Sequence, residues 1–201
     1  MILRVLPYGD RALLVEVSNT DAVLPLADFA RQLPAVSEVV PGARTVLLRL
    51  PEQATGEVRA ALANFDELTP PPPTRGRSHR IPVRYDGADL ELVSQQSGLS
   101  PSEVVARHSA PTYRVAFCGF APGFAYLTGL PRELQLPRLA TPRTAVPDGS
   151  VAIAAEYSAV YPRSSPGGWL LLGATTTTLW DLAADPPALL APGDGVRFEA
   201  V

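Results

Sequence analysis

Four consecutive prolines, Pro70–Pro73, set the strongest limit on how this chain folds. In "TPPPPTRGRSH" (69–79) they favour polyproline II geometry over about 12 Å and offer no backbone N–H to a sheet interior. The run divides the 201 residues into two predicted domains, 1–76 and 77–201. The alternative is a stiff surface loop inside one domain.

Before the break, the pattern predicts a small α/β unit. "ILRVLPYGDRALLVEV" is two apolar runs around Pro7-Tyr8-Gly9-Asp10, a hairpin signature. Residues 21–33 carry helical spacing at Val23, Leu26, Ala27, Ala30 and Leu33, with Thr20 or Asp21 as N-cap and Pro25 in the first turn. "VSEVVPGARTVLLRL" reads strand, turn, strand, and a second helix follows at about 56–66. The order ββαββα suits an antiparallel or mixed sheet with helices on one face.

After the break, "RIPVRY" reads as a strand. Residues 89–97 and 101–108 read as helices, parted at Gly98 and restarted by Ser100-Pro101. "TYRVAFC" alternates like a strand. From residue 119 onward short apolar runs separated by turn residues predict a mainly β domain, a barrel or sandwich, with Thr175–Thr178 as part of a strand. The predicted class is therefore α+β.

Composition removes several chemistries. All 17 basic residues are arginine, so the chain has no Walker A lysine, no Schiff-base lysine and no lysine to carry biotin. C-x-x-C, H-E-x-x-H, G-x-S-x-G and G-x-G-x-x-G are missing, and two histidines cannot build a His-rich metal site. No metal site is expected in this chain. One cysteine, Cys118, allows no internal disulfide and fits a reducing cytoplasm. No apolar run approaches the ~20 residues needed to span a membrane. Arg4, Asp10 and Arg11 spoil a signal-peptide reading. Charge is uneven: net −3 over 1–74, +4 over 75–143 and −4 over 144–201. A basic middle in an acidic protein points to a small anionic ligand, and it is too dilute for nucleic acid.

The chain holds 22 prolines, about twice the usual ~5%. Many of them, with most of the special glycines, fall in "GFAPGFAYLTGLP", "PRLATPRTAVPDGSVAI" and "YPRSSPGGW". Glycine admits positive φ and close approach, while proline fixes φ. Such loops hold side chains rigidly and predict a preorganised pocket or docking surface. Phe120, Pro122, Gly123, Phe124, Tyr126, Gly149, Ser150, Ser165, Gly167, Gly168 and Trp169 are the candidate substrate-binding residues. Arg138 and Arg143, each after a proline, present guanidinium forks suited to a carboxylate or phosphate, or to an ordinary ion pair. His108 closes a predicted helix, where it can serve as general acid/base or bond the last carbonyls. Arg138, Arg143 and His108 are the catalytic candidates.

"YRVAFCGFAPGFAYLTGLP", then "PRLATPR", "VPDGSVAI", "YPRSSPGGW" and "PGDGVRF", resemble the KipI/PxpB family, also called allophanate hydrolase subunit 1 or the carboxyltransferase C/D domain family. "YGDRALLVE", "EVVPGARTVLL" and "IPVRYDGADL" extend the resemblance to nearly the whole chain. It implies a small N-terminal α/β domain followed by a cyclophilin-like β-barrel. It also implies a B-type subunit of 5-oxoprolinase, working with a PxpC/KipA-like subunit and a PxpA-like protein to hydrolyse 5-oxoproline to glutamate at the expense of ATP. The ATP site would then be shared with the partner. Other readings of the resemblance are a urea carboxylase-type amide or carboxyl-transfer subunit and an inhibitor of a sensor histidine kinase. Where the family reads Gly-x-Gln-Thr-Gly-Ile-Tyr-Pro, this chain has Ala155 through Pro162, and Ala174 stands at a family arginine.

Overall fold

Alternation builds the first sheet. Ile2–Pro7 (β1) and Ala12–Val17 (β2) pair antiparallel as the predicted hairpin. Glu38–Pro41 (β3) and Thr45–Arg49 (β4) form the second hairpin, and the order β1-β2-β4-β3 is antiparallel throughout. Leu13, Val15 and Val17 of β2 and Val46 and Leu48 of β4 share one face by their period of two. Onto it pack Val23, Leu26, Ala27 and Ala30 of Val23–Arg31 (α1) and Val58 and Leu62 of Thr55–Ala63 (α2). The N-cap differs from expectation. Asn19, rather than Thr20 or Asp21, accepts from the Ala22 N–H at 3.0 Å, and a short 3-10 turn, Thr20–Ala22, precedes α1. Its amide oxygen reaches an N–H three residues on, which the cap geometry requires.

The computed structural model describes residues 1–65 and 76–201, and the chain divides into two units, Met1–Arg75 and Gly76–Val201. The proline run and the end of the predicted 56–66 helix lie outside the described residues. No helix among those described is long and apolar enough to cross a membrane.

The second unit opens with Ser78–Val83 (β5), then Leu90–Ser97 (α3) and Pro101–Ser109 (α4). Gly98, at φ +72°, ends α3, and Ser100 starts α4 with a capping box to Glu103. The local chemistry matches the sequence reading here because both caps are local devices. Tyr113–Cys118 (β6), Ala125–Thr128 (β7), Arg143–Val146 (β8), Ser150–Ala154 (β9), Tyr157–Val160 (β10), Ser165–Gly167 (β11), Leu170–Ala174 (β12) and Gly195–Ala200 (β13) complete the unit.

Seven strands follow the order β12-β9-β10-β7-β6-β13-β5. Arg84 and Ala174 then exchange backbone bonds of 2.9 Å just beyond β5 and at the end of β12, nearly closing the sheet into a barrel. Ile81, Val115, Leu127, Ile153, Leu172 and Phe198 fill its core, with Val93 of α3 and Val104 of α4 beside them. β8 and β11 form a separate two-stranded ribbon.

Thr175–Thr178 is not a strand. β12 ends at Ala174, and the Thr175 hydroxyl turns back to accept from the Thr177 N–H at 3.1 Å. A threonine hydroxyl that bonds its own backbone favours a turn over a ladder.

Candidate functional site

The β6–β7 connection explains the odd composition of "GFAPGFAYLTGLP". The Ala121 N–H bonds Gly119 O at 2.8 Å across Phe120, whose φ is +69°. This i→i+2 bond with positive φ is the rarer, strained γ-turn hand. The Phe124 N–H then bonds Ala121 O at 3.0 Å, with Pro122 and Gly123 (φ +82°) between. Proline followed by a positive-φ residue is what a type II turn requires. A β-carbon at Gly123 would also stand 2.9 Å from Trp180 Cβ. Pro122 and Gly123 therefore shape the loop, while Phe120 is left 62% exposed. A bulky residue held at positive φ and in solvent stores strain of the kind found at functional sites.

Phe124 anchors an aromatic array. Its ring meets Tyr126 at 5.1 Å, Tyr161 at 5.3 Å, Phe120 at 5.2 Å and Trp169 at 5.6 Å, all edge-on. Such edge-to-face pairs add about 0.5–1.5 kcal/mol each beyond burial. Between this array and the β8–β11 ribbon lies a cleft of about 280 Å³. Seven predicted residues line it: Phe120, Phe124, Tyr126, Arg138, Gly167, Gly168 and Trp169. Pro142, Tyr161 and Pro166 join them and were not among the predicted site residues. Tyr161 could have been found from its place at the head of "YPRSSPGGW", the same stretch that supplied the glycines.

The two arginines part company. Arg138 is exposed at the cleft and has no ion-pair or hydrogen-bond partner among the described residues. Arg143 is committed elsewhere: its Nη2 donates to Asp89 Oδ1 at 2.7 Å, and Asp89 Oδ2 accepts from the Leu171 N–H at 2.7 Å. Asp89, only 4% exposed, thus ties β8 to β12 and the start of α3. Arg143, expected to be catalytic, instead forms an internal ion pair with Asp89 and is not among the residues that line the cleft. Its Nη1 and the Ser165 Oγ are buried without a hydrogen-bond partner among the described residues.

His108 also leaves the site. It lies in the core with no exposed surface, stacked on Phe198 at 4.7 Å. The Ser158 Oγ donates to Ala152 O at 3.3 Å and so accepts from His108 Nε2 at 2.8 Å. Nδ1 is then the acceptor for the Tyr85 hydroxyl at 2.8 Å. Burial lowers the imidazole to about 3, so it stays neutral. Neither expectation fits this placement: the ring has no exposed surface, and it bonds Tyr85 and Ser158 rather than the last carbonyls of α4. The Tyr113 hydroxyl takes the His108 carbonyl instead, at 2.8 Å.

The other candidates are structural. The Ser150 hydroxyl donates to Pro147 O at 2.7 Å, which makes it a turn residue. A β-carbon at Gly149 would stand 2.2 Å from Thr175 O, so Gly149 allows two backbones to touch. Ser165 sits in β11, outside the cleft lining. Burial, with the Asp194 charge, raises Cys118 to about 11 and keeps it an unreactive thiol. Among the described residues no group of three or more His, Cys, Asp or Glu is placed to hold a metal ion.

Known proteins share this architecture. The B subunit of 5-oxoprolinase from Escherichia coli O157:H7 is 42% identical over 189 residues, 92% of this chain and 87% of that protein. Its namesake in Bacillus subtilis strain 168 is 46% identical over 121 residues, 59% of this chain and 50% of that protein. The crystal structure of conserved uncharacterized protein PH0987 from Pyrococcus horikoshii superposes with a TM-score of 0.60 at 33% identity, covering 98% of this chain and 97% of that one. The TTHA0988 crystal structure gives a TM-score of 0.79 at 36% identity, and the match covers 95% of this chain but 40% of that longer one. The Kluyveromyces lactis urea amidolyase, at 20% identity and a TM-score of 0.71, covers all of this chain and 16% of that one, and shares the fold. A family profile described as carboxyltransferase domain, subdomain C and D, matches residues 3–190. With that match over nearly its whole length, the chain belongs to the carboxyltransferase subdomain C and D family.

Proposed function

We propose that this chain is the B-type component of an ATP-dependent 5-oxoprolinase. It would act with a PxpC/KipA-like subunit and a PxpA-like protein to open the lactam ring of 5-oxoproline to glutamate. The observation that carries the reading is Arg138, an unpartnered guanidinium at an aromatic cleft of about 280 Å³. That volume falls just below the ~300–1,000 Å³ that accept drug-sized ligands and suits a small ring with one carboxylate. The guanidinium fork matches the two carboxylate oxygens, and the rings wall the apolar edge of the lactam. Neutral urea would leave the guanidinium unpaired, which favours the oxoproline reading over a urea-type one.

The lining also explains why the chain would need partners. It holds no carboxylate, imidazole, amine or thiol among the described residues. Its weak acids are the phenols of Tyr126 and Tyr161, both raised above their ordinary value by burial. This cleft can hold and polarise a substrate, but its described lining offers no base for activating water. That base is assigned to a partner subunit. A nucleoside triphosphate does not fit these residues either, since the cleft is small and has one cation to set against three phosphates. The nucleotide is therefore assigned to the partner's side.

The test is co-expression with a PxpC-like subunit, purification, and ATP-dependent glutamate release from 5-oxoproline after addition of a PxpA-like protein. Turnover that needs all three supports the reading. A stable complex without turnover discards this substrate. Full activity of Arg138→Ala in an active complex discards the carboxylate role of Arg138.

A further inference from the structure

We propose that Tyr161 is a second catalytic residue of the cleft, its phenol donating a hydrogen bond to the substrate amide oxygen as negative charge develops there. The inference rests on the oxoprolinase reading and adds to it the group that polarises the bond to be broken.

The hydroxyl environment makes the case. Tyr161 follows β10, and its backbone is locked on both sides: its N–H bonds Ser150 O at 2.9 Å, and its carbonyl accepts from the Gly149 N–H at 2.8 Å. The residue is 1% exposed, yet it lines the cleft. A β-carbon at Gly167 would stand 2.3 Å from the hydroxyl oxygen, so only glycine there lets the phenol lie where it does. Burial raises the phenol above its ordinary value, and the nearby Trp169 backbone and the positive charge of Arg143 oppose that rise. The hydroxyl thus stands fixed at the cleft, and its proton finds no acceptor among the described residues. A phenol fixed in this way, with its proton uncommitted in a largely apolar cleft, is equipped to meet a ligand oxygen.

Tyr126, the other phenol of the cleft, has no such arrangement. Its ring stacks on Phe117 at 4.3 Å and 15°, and burial alone acts on its hydroxyl. Lactam opening places negative charge on the carbonyl oxygen when the carbon is attacked. A neutral donor fixed nearby stabilises that charge without reorganising. Burial raises the Tyr161 phenol above its ordinary value, so the proton stays on its oxygen throughout and no transfer is required.

The experiment is Tyr161→Phe in the reconstituted complex, with kcat and KM measured separately and assembly and thermal unfolding recorded. Removing one oxyanion donor costs about 10²–10³ in kcat, so a loss of that order with KM held within about threefold is expected. An active wild type with an equally active Tyr161→Phe overturns this inference and leaves the oxoprolinase reading standing. A raised KM with unchanged kcat also overturns it, because the phenol then serves only ground-state binding. An inactive wild-type complex overturns both. If Tyr161→Phe does not assemble, Gly167→Ala replaces it, since the added methyl displaces the hydroxyl. Loss of kcat at constant KM supports the proposal, and unchanged kcat overturns it.

Discussion

His108 and Arg138 were both nominated as catalytic by sequence, and the structure treats them in opposite ways. Around His108 each ring nitrogen has a partner 2.8 Å away, one on Tyr85 and one on Ser158. Around Arg138 the guanidinium, and beside it the Tyr161 proton, have none among the described residues. A polar group completed by protein atoms stabilises and specifies a fold. One left incomplete at a cleft is available to a ligand. Arg143 stands between the two, with one nitrogen held by Asp89 and the other bare.

Four measurements would break or sharpen this contrast. The largest effect is expected with pH. His108 sits far below its unfolded value, at about 3, so below pH 6.5 the unfolded chain takes up a proton that the folded one refuses. Stability is full above pH 6.5 and falls as pH drops toward 3, at about 1.4 kcal/mol per unit. Tyr85 and Tyr113, the titratable groups packed on the ring, stay neutral through this range because burial raises both. Urea unfolding from pH 7 to 4 checks the slope. A histidine resonance titrating near 6.5 in folded protein, assigned to His108, would return it to the list of acid/base candidates.

Next is Asp89→Ala, which leaves Arg143 and the Leu171 N–H without their partner. Breaking a buried pair costs about 3 kcal/mol or more, or roughly 10 °C in Tm for a unit of this size. A drop below about 1 kcal/mol would mean that Arg143 is free to serve a ligand after all. Arg138→Ala should behave in the reverse manner. Its Tm should hold within about a degree, while kcat/KM falls roughly 10- to 100-fold, the worth of a hydrogen bond to a charged group. The smallest effect is Ala155→Gly. Ala155 takes φ +48° in the β9–β10 turn, where a β-carbon costs about 1–2 kcal/mol, partly offset by the greater unfolded entropy of glycine. A gain of up to about 1 kcal/mol in thermal unfolding is expected.

Much of the site was legible because the signals were local. Pro122-Gly123 announces its turn, Gly167-Gly168 announces close approach, and seven residues nominated from those stretches meet in the cleft. Gly98 and Ser100-Pro101 end and restart the helices where expected. The failures share a cause. Thr175–Thr178 has strand propensity, but Arg84 pairs with Ala174 and the strand stops there. Tyr161 was not among the nominated residues: its place in "YPRSSPGGW" marks the loop, but no local pattern reveals a hydroxyl without an acceptor.

By itself the sequence determined the order of elements, the caps, the loops that could be rigid, and the chemistries that lysine and cysteine usage forbid. Those follow from backbone preferences and residue inventories, which act over a few positions or over the chain as a whole. Only the tertiary structure decided which polar groups were already answered. Arg143 meets Asp89 across 54 residues, and His108 meets Ser158 across 50. Whether a guanidinium or an imidazole is left for a ligand depends on burial and partners that folding brings from that far away, and no local pattern records them.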